Sequence, residues 1–80
     1  MKIPRDLSGK KLIAKLEKLG YRVTRQTGSH VRLSIRLDEG EKHVTIPRHS
    51  PLRIGTLNSI LTEVTLHLKL PREELIKKIK

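Results

Sequence analysis

His30 follows Gly28 and Ser29 and opens a stretch of alternating apolar and polar residues, while His49 closes the short run Pro47-Arg48-His49. An imidazole gains or loses a proton near neutral pH, so a histidine delivered to a surface by a glycine turn can take a proton and return it. Gly28 permits close approach of a backbone, and Ser29 offers a hydroxyl that can orient a substrate or the imidazole. Arg25, Arg32 and Arg48 stand close by in the sequence, and a guanidinium meets a phosphate with two parallel donors. The substrate that suits this set is a phosphodiester carrying its own nucleophile, as RNA does in its 2'-hydroxyl. One imidazole to take that proton, and cations to stabilise the crowded phosphorane and assist the leaving 5'-oxygen, are then enough. On this reading His30 is the general base, Arg25, Arg32 and Arg48 are phosphate clamps, and His49 is a second acid or a phosphate contact.

Each of these residues also has a plain structural reading. A histidine at a strand edge faces solvent or caps a turn, Gly28-Ser29 is a turn, and Pro47-Arg48-His49 is a strand exit. His43 reads as a solvated sheet residue and His67 as peripheral packing. The four histidines follow no zinc-binding spacing, there is no cysteine, and no paired carboxylates support them, so neither a metal site nor a cofactor is expected. Ser29 has no acidic partner placed by a nucleophile motif.

Eighty residues allow one domain, 1–80, with one modest core. Eighteen Lys plus Arg against eight Asp plus Glu leave a formal net charge of +10, a field that attracts polyanions. Nucleic acid, and RNA in particular, is the expected partner. The basic residues are spread through several elements, which argues against a membrane-surface helix, and no run approaches bilayer length. The N-terminal residues lead into no apolar run, so a mature cytoplasmic protein is expected. Tyr21 is the sole aromatic, which excludes a base-stacking platform and leaves phosphates, 2'-hydroxyls and groove shape as the points of contact.

The elements that must position these groups are legible in the periodicity. After a lead-in at Pro4, Leu12, Ile13, Leu16 and Leu19 form a helical stripe with Asp6 or Ser8 as cap and Gly20 as terminator. Tyr21 to Gln26 switches to period two, with Tyr21 and Val23 on one side and Arg22, Thr24 and Gln26 on the other; its far end, at Arg25, leaves the core. From His30, Val31, Leu33, Ile35 and Leu37 point inward while His30, Arg32, Ser34 and Arg36 point outward. Asp38 to Glu41 is a hairpin turn, and the returning strand places Val44 and Ile46 inward with His43 and Thr45 outward until Pro47 stops it. Ile54, Leu57, Ile60, Leu61, Val64 and Leu68 define a second helix, with Gly55-Thr56 near its start. Pro71 opens a short last helix using Leu75, Ile76 and Ile79.

The order helix, three strands, helix predicts an α+β sandwich of two layers: a three-stranded antiparallel sheet with helices on one face, plus the short C-terminal helix. Its topology resembles that of a double-stranded RNA-binding domain, and the uncovered face carries Arg32, Ser34, Arg36, His43 and Thr45 with His30 at its edge.

Gly20-Tyr21, Gly28-Ser29-His30, Pro47-Arg48-His49, Gly55-Thr56-Leu57 and Ile60-Leu61, in this order and with these linking lengths, resemble the HicA toxins of HicA/HicB toxin-antitoxin pairs, also called the YcfA-like family. The resemblance runs over roughly residues 8 to 70. It implies a ribosome-independent endoribonuclease, an mRNA interferase of the stress response, restrained by a HicB-like antitoxin, with His30 as the catalytic histidine. The alternative from another class is a non-catalytic module that binds double-stranded RNA. Residues 1–7 and the basic end from Pro71 are less typical of the shortest members.

Overall fold

A computed structural model describes residues 6–80, so the expected lead-in at Pro4 lies outside the described residues. Ser8 is the N-cap of α1 (Gly9–Lys18), its hydroxyl accepting from the Lys11 N–H at 3.1 Å. Leu12, Ile13 and Leu16 are buried and Leu19 packs against them, while lysines hold the opposite side. Gly20, at φ +113°, ends the helix in a conformation that side chains rarely adopt.

Three strands follow, β1 (Arg22–Thr27), β2 (His30–Leu37) and β3 (Gly40–Pro47), antiparallel and in the order β1-β2-β3. Two-residue turns join them: Thr27 pairs with His30 across Gly28-Ser29, and Leu37 pairs with Gly40 across Asp38-Glu39. Val31, Leu33, Ile35, Val44 and Ile46 are buried on the inner face. They share one core cluster with α1, with α2 (Ile54–Leu68) and with α3 (Arg72–Ile79). In α3, Leu75 and Ile79 have no solvent exposure, so this short helix seals the core against α1 and α2. The helices therefore cover one face of the sheet and leave the other open, as the periodicity predicts. Among the described residues no helix is long and apolar enough to cross a membrane.

The departures from simple alternation are local. Tyr21 is buried but precedes β1, whereas Val23, expected beside it in the core, is 44% exposed. β1 is an edge strand, and a groove of about 240 Å³ separates its inward side from Ala14 and Glu17 of α1, so Val23 is only partly covered. A bulge lies between Val23 and Arg25, and one extra residue reverses the side on which every later residue emerges. Gln26, expected beside Arg22 and Thr24, is thus opposite inward Val31, and Arg25 is opposite outward Arg32. Ser34, expected on the open face, lies there by register yet is 1% exposed, covered by hydrogen-bonded neighbours from both flanking strands. Ile54, expected on the buried stripe of α2, is exposed at the helix's first residue.

Candidate active site

Residues directly opposite one another in an antiparallel ladder share a face, which sorts the open face into rows. Thr27, His30 and Pro47 form the row at one end of the sheet. Arg25, Arg32 and Thr45 form the next, and Arg22, Ser34 and His43 the third. Neighbouring rows are two residues apart along each strand, about 7 Å. The bulge brings Arg25 into this arrangement, because uninterrupted pairing would have turned it toward the helices.

His30 is exposed on the first residue of β2, and among the described residues its ring has no hydrogen-bond partner. Gly28 takes φ +57° at the first central position of the turn, and a Cβ there would meet open space, so its requirement is conformational. The Ser29 carbonyl accepts the Arg48 N–H at 2.7 Å. Gly28-Ser29-His30 and Pro47-Arg48-His49, remote in sequence, are therefore joined main chain to main chain.

The second segment is itself held from below. The His49 carbonyl accepts the Gly9 N–H at 2.8 Å, and the Leu7 carbonyl accepts the Leu52 N–H at 2.9 Å. A Cβ on Gly9 would lie 2.9 Å from the Arg48 Cα and would overlap the Pro47 carbonyl oxygen. The first turn of α1 is thus pressed onto the backbone that carries Arg48 and His49. Sequence reasoning passed over Gly9, since glycine at a helix start looks like an ordinary neighbour of the cap.

Arg25 and Arg32 share the face of His30. Arg48 pairs with Ser29, one step beyond the His30 row, and lines the groove between α1 and β1 with Lys10, Glu17 and Gln26. It approaches the same turn from the helical side. His49 is exposed, and its hydrogen bond is made through its carbonyl. Carboxylates lie at the other end of the sheet, where Lys69 pairs with Glu39 at 3.3 Å and His43 Nε2 lies 3.7 Å from Glu41. Among the described residues Arg25, Arg32 and Arg48 form no salt bridge, so their charge is available to an external anion. No three His, Asp or Glu side chains among the described residues cluster as metal ligands.

Two further histidines acquire partners that periodicity does not announce. The Tyr21 hydroxyl lies 2.9 Å from His67 Nδ1, joining the start of β1 to the last turns of α2. Burial, and then the Glu63 carboxylate, push the Tyr21 phenol well above its ordinary value. Burial pulls His67 below its ordinary value, with Lys42 and His43 adding to the fall and Glu63 opposing it. His43 Nδ1 lies 2.6 Å from the Ser34 hydroxyl, which in turn lies 2.8 Å from that of Thr24.

The geometry offers an exposed imidazole at a cationic sheet end, with guanidinium groups one row away and on the reverse side of the same turn. It suits proton transfer beside a bound phosphate. A family model described as the HicA toxin of bacterial toxin-antitoxin matches residues 9–66. The match begins at Gly9, includes both histidine-bearing segments and stops before α3. No curated protein and no solved structure matches the chain.

Proposed function

The chain belongs to the HicA toxin family, the toxin side of bacterial toxin-antitoxin pairs, and we propose that it acts as an endoribonuclease on mRNA with His30 as its general base. His30 takes the proton of a ribose 2'-hydroxyl, the 2'-oxygen attacks the adjacent phosphorus, and the 5'-oxygen leaves with a proton supplied by His49 or by solvent. Arg25 and Arg32 hold the phosphate from the open face, and Arg48 reaches it from the helical side, so charge developing on the phosphorane meets cations already in place. Because the nucleophile belongs to the substrate, the reaction requires no metal ion.

The observation that carries this reading is the bond from the Arg48 N–H to the Ser29 carbonyl, which sets the basic segment beside the exposed imidazole. It supports a composite site in which the turn supplies the base and the strand exit supplies charge. His30→Ala is expected to lower the single-turnover cleavage rate by about 10²- to 10⁴-fold, the usual contribution of a positioned acid-base group, with RNA affinity nearly unchanged. Wild-type cleavage by purified His30→Ala protein would end the proposal. RNA left intact by saturating wild-type protein would make the chain a binding module.

A nuclease that acts on its own cell's messages must be restrained. The partner that fits is a HicB-like antitoxin presenting acidic groups to Arg25 and Arg32 and covering His30, since complementary charge selects and orients the encounter.

A further inference from the structure

The geometry points to His43 as a second RNA-contacting imidazole: its Nε2 accepts a hydrogen bond from a ribose 2'-hydroxyl bound in the groove between β3 and α2, with Arg32 on the neighbouring phosphate. This rests on the reading of the open face as the RNA-binding face and extends it to a subsite remote from the bond that is cut.

The first observation is the polar chain beneath the ring. Ser34 is buried in the third row, flanked by Thr24 at 2.8 Å and by His43 Nδ1 at 2.6 Å. Thr24 donates onward to the main-chain carbonyl of Arg32 at 3.4 Å, a group that can only accept. With Thr24 giving its proton to the carbonyl, Ser34 gives its own to Thr24 and His43 Nδ1–H donates to Ser34, which is the tautomer this proposal assigns. In the neutral ring the lone pair then resides on Nε2. Thr24 by itself already satisfies the buried Ser34 donor, so the addition of His43 serves to orient the ring and select its tautomer.

The second observation is the groove that the His43 ring lines. A groove of about 510 Å³ runs between β3 and α2, lined by Arg32, His43 and Thr45 from the sheet and by Thr56, Ser59 and Glu63 from the helix. One guanidinium and several hydroxyls beside an accepting nitrogen match a ribose-phosphate unit, and the sole aromatic, Tyr21, is buried elsewhere and cannot stack a base. Glu41, 3.7 Å from Nε2, lies beyond hydrogen-bond reach and leaves the nitrogen free. His43 is opposite Ser34, four residues from His30 along β2, so the rows that carry the two histidines are roughly 13 Å apart along the sheet with the Arg32 row between them. At that separation His43 touches a part of the strand other than the scissile phosphate. The 2'-hydroxyl is the group that separates RNA from DNA, so this contact confers sugar discrimination.

The test uses full-length His30→Ala protein, with one RNA oligonucleotide and the DNA oligonucleotide of the same sequence as probes. His43→Asn, whose amide can still donate to Ser34 but which lacks Nε2, is expected to weaken RNA binding about three- to tenfold, the equivalent of one hydrogen bond. DNA binding and its salt dependence should stay unchanged. Equal losses for RNA and DNA, or no loss, would overturn the inference. Long-range proton-nitrogen NMR of the histidine rings in the unmutated His43 background provides a second route that does not depend on the variant folding. The His43 ring is expected as the Nδ1–H tautomer, with its Nε2 resonance shifting on addition of RNA but not of DNA; an Nε2–H tautomer, or an unmoved resonance at saturation, would refute it. Cleavage of the RNA by His30→Ala protein would instead count against the nuclease mechanism, and is seen separately from the affinities.

Discussion

Replacing Gly9 by alanine separates local helix preference from tertiary packing, because the two predict opposite signs. In an exposed helix interior, alanine in place of glycine stabilises by about 0.5–1 kcal/mol. Here the new Cβ would lie 2.9 Å from both the Arg48 Cα and the Pro47 carbonyl carbon, and closer still to the Pro47 oxygen. Ordinary contact begins near 3.4 Å, so the carbon contacts alone demand a movement of about 0.5 Å and the oxygen more. All the obstructing atoms are backbone, so no side chain can rotate away. Overpacking of this kind costs about 1–3 kcal/mol, and loss of the bond from the Gly9 N–H to the His49 carbonyl adds about 1 kcal/mol. With the helix gain set against them, the net destabilisation is about 1–3 kcal/mol. In a chain of this size each kcal/mol shifts the thermal midpoint by roughly 4–8 °C, so the midpoint followed by circular dichroism is expected to fall by at least about 4 °C. The displacement runs into Arg48 and His49, and misplacement by about 1 Å can lower a rate 10²-fold. Cleavage at saturating protein should therefore fall while His30 is untouched. A Gly9→Ala midpoint equal to or above the wild-type value would refute the close approach and the positioning role assigned to it.

Three other outcomes are expected. Burial of His67 makes stability fall in acid: its native pKa is depressed, so its contribution is present above the unfolded value near 6.5 and is lost as pH drops through the lower folded value. Urea midpoints measured from pH 7.5 to pH 5 should show a loss that His67→Gln diminishes, and an equal slope in both proteins would remove His67 as its cause. Arg25→Ala, Arg32→Ala and Arg48→Ala should each flatten the dependence of log K on log salt for single-stranded RNA by about 0.7; an unchanged slope takes that guanidinium out of the interface. Stoichiometric HicB-like antitoxin should abolish cleavage and slow solvent exchange across Gly28 to Arg32, whereas full activity in the assembled complex would contradict the covering of His30.

The periodicity of this chain by itself determined the two layers, the three antiparallel strands and the face on which each main apolar stripe would be buried. Those follow from side-chain spacing: Leu12, Ile13 and Leu16 recur at helical intervals, and Val31, Leu33 and Ile35 at strand intervals. The turn at Gly28-Ser29 that presents His30 at the start of β2 was equally legible, because a turn glycine and the residue it presents are neighbours along the chain. What only the tertiary structure decided are relations between residues distant in sequence. The bulge that turns Arg25 onto the open face depends on the pairing of β1 with β2, and an extra residue leaves no mark in an edge strand whose residues are all exposed. The burial of Ser34 depends on Thr24 and His43 arriving from both sides. Gly9 is constrained by the backbone of Pro47 and Arg48, which no helical preference encodes. Spacing specifies which face a side chain takes within its own element, whereas the meeting of elements specifies which atoms must fit together. The candidate site, assembled from one turn, one strand exit and the first turn of α1, is of the second kind.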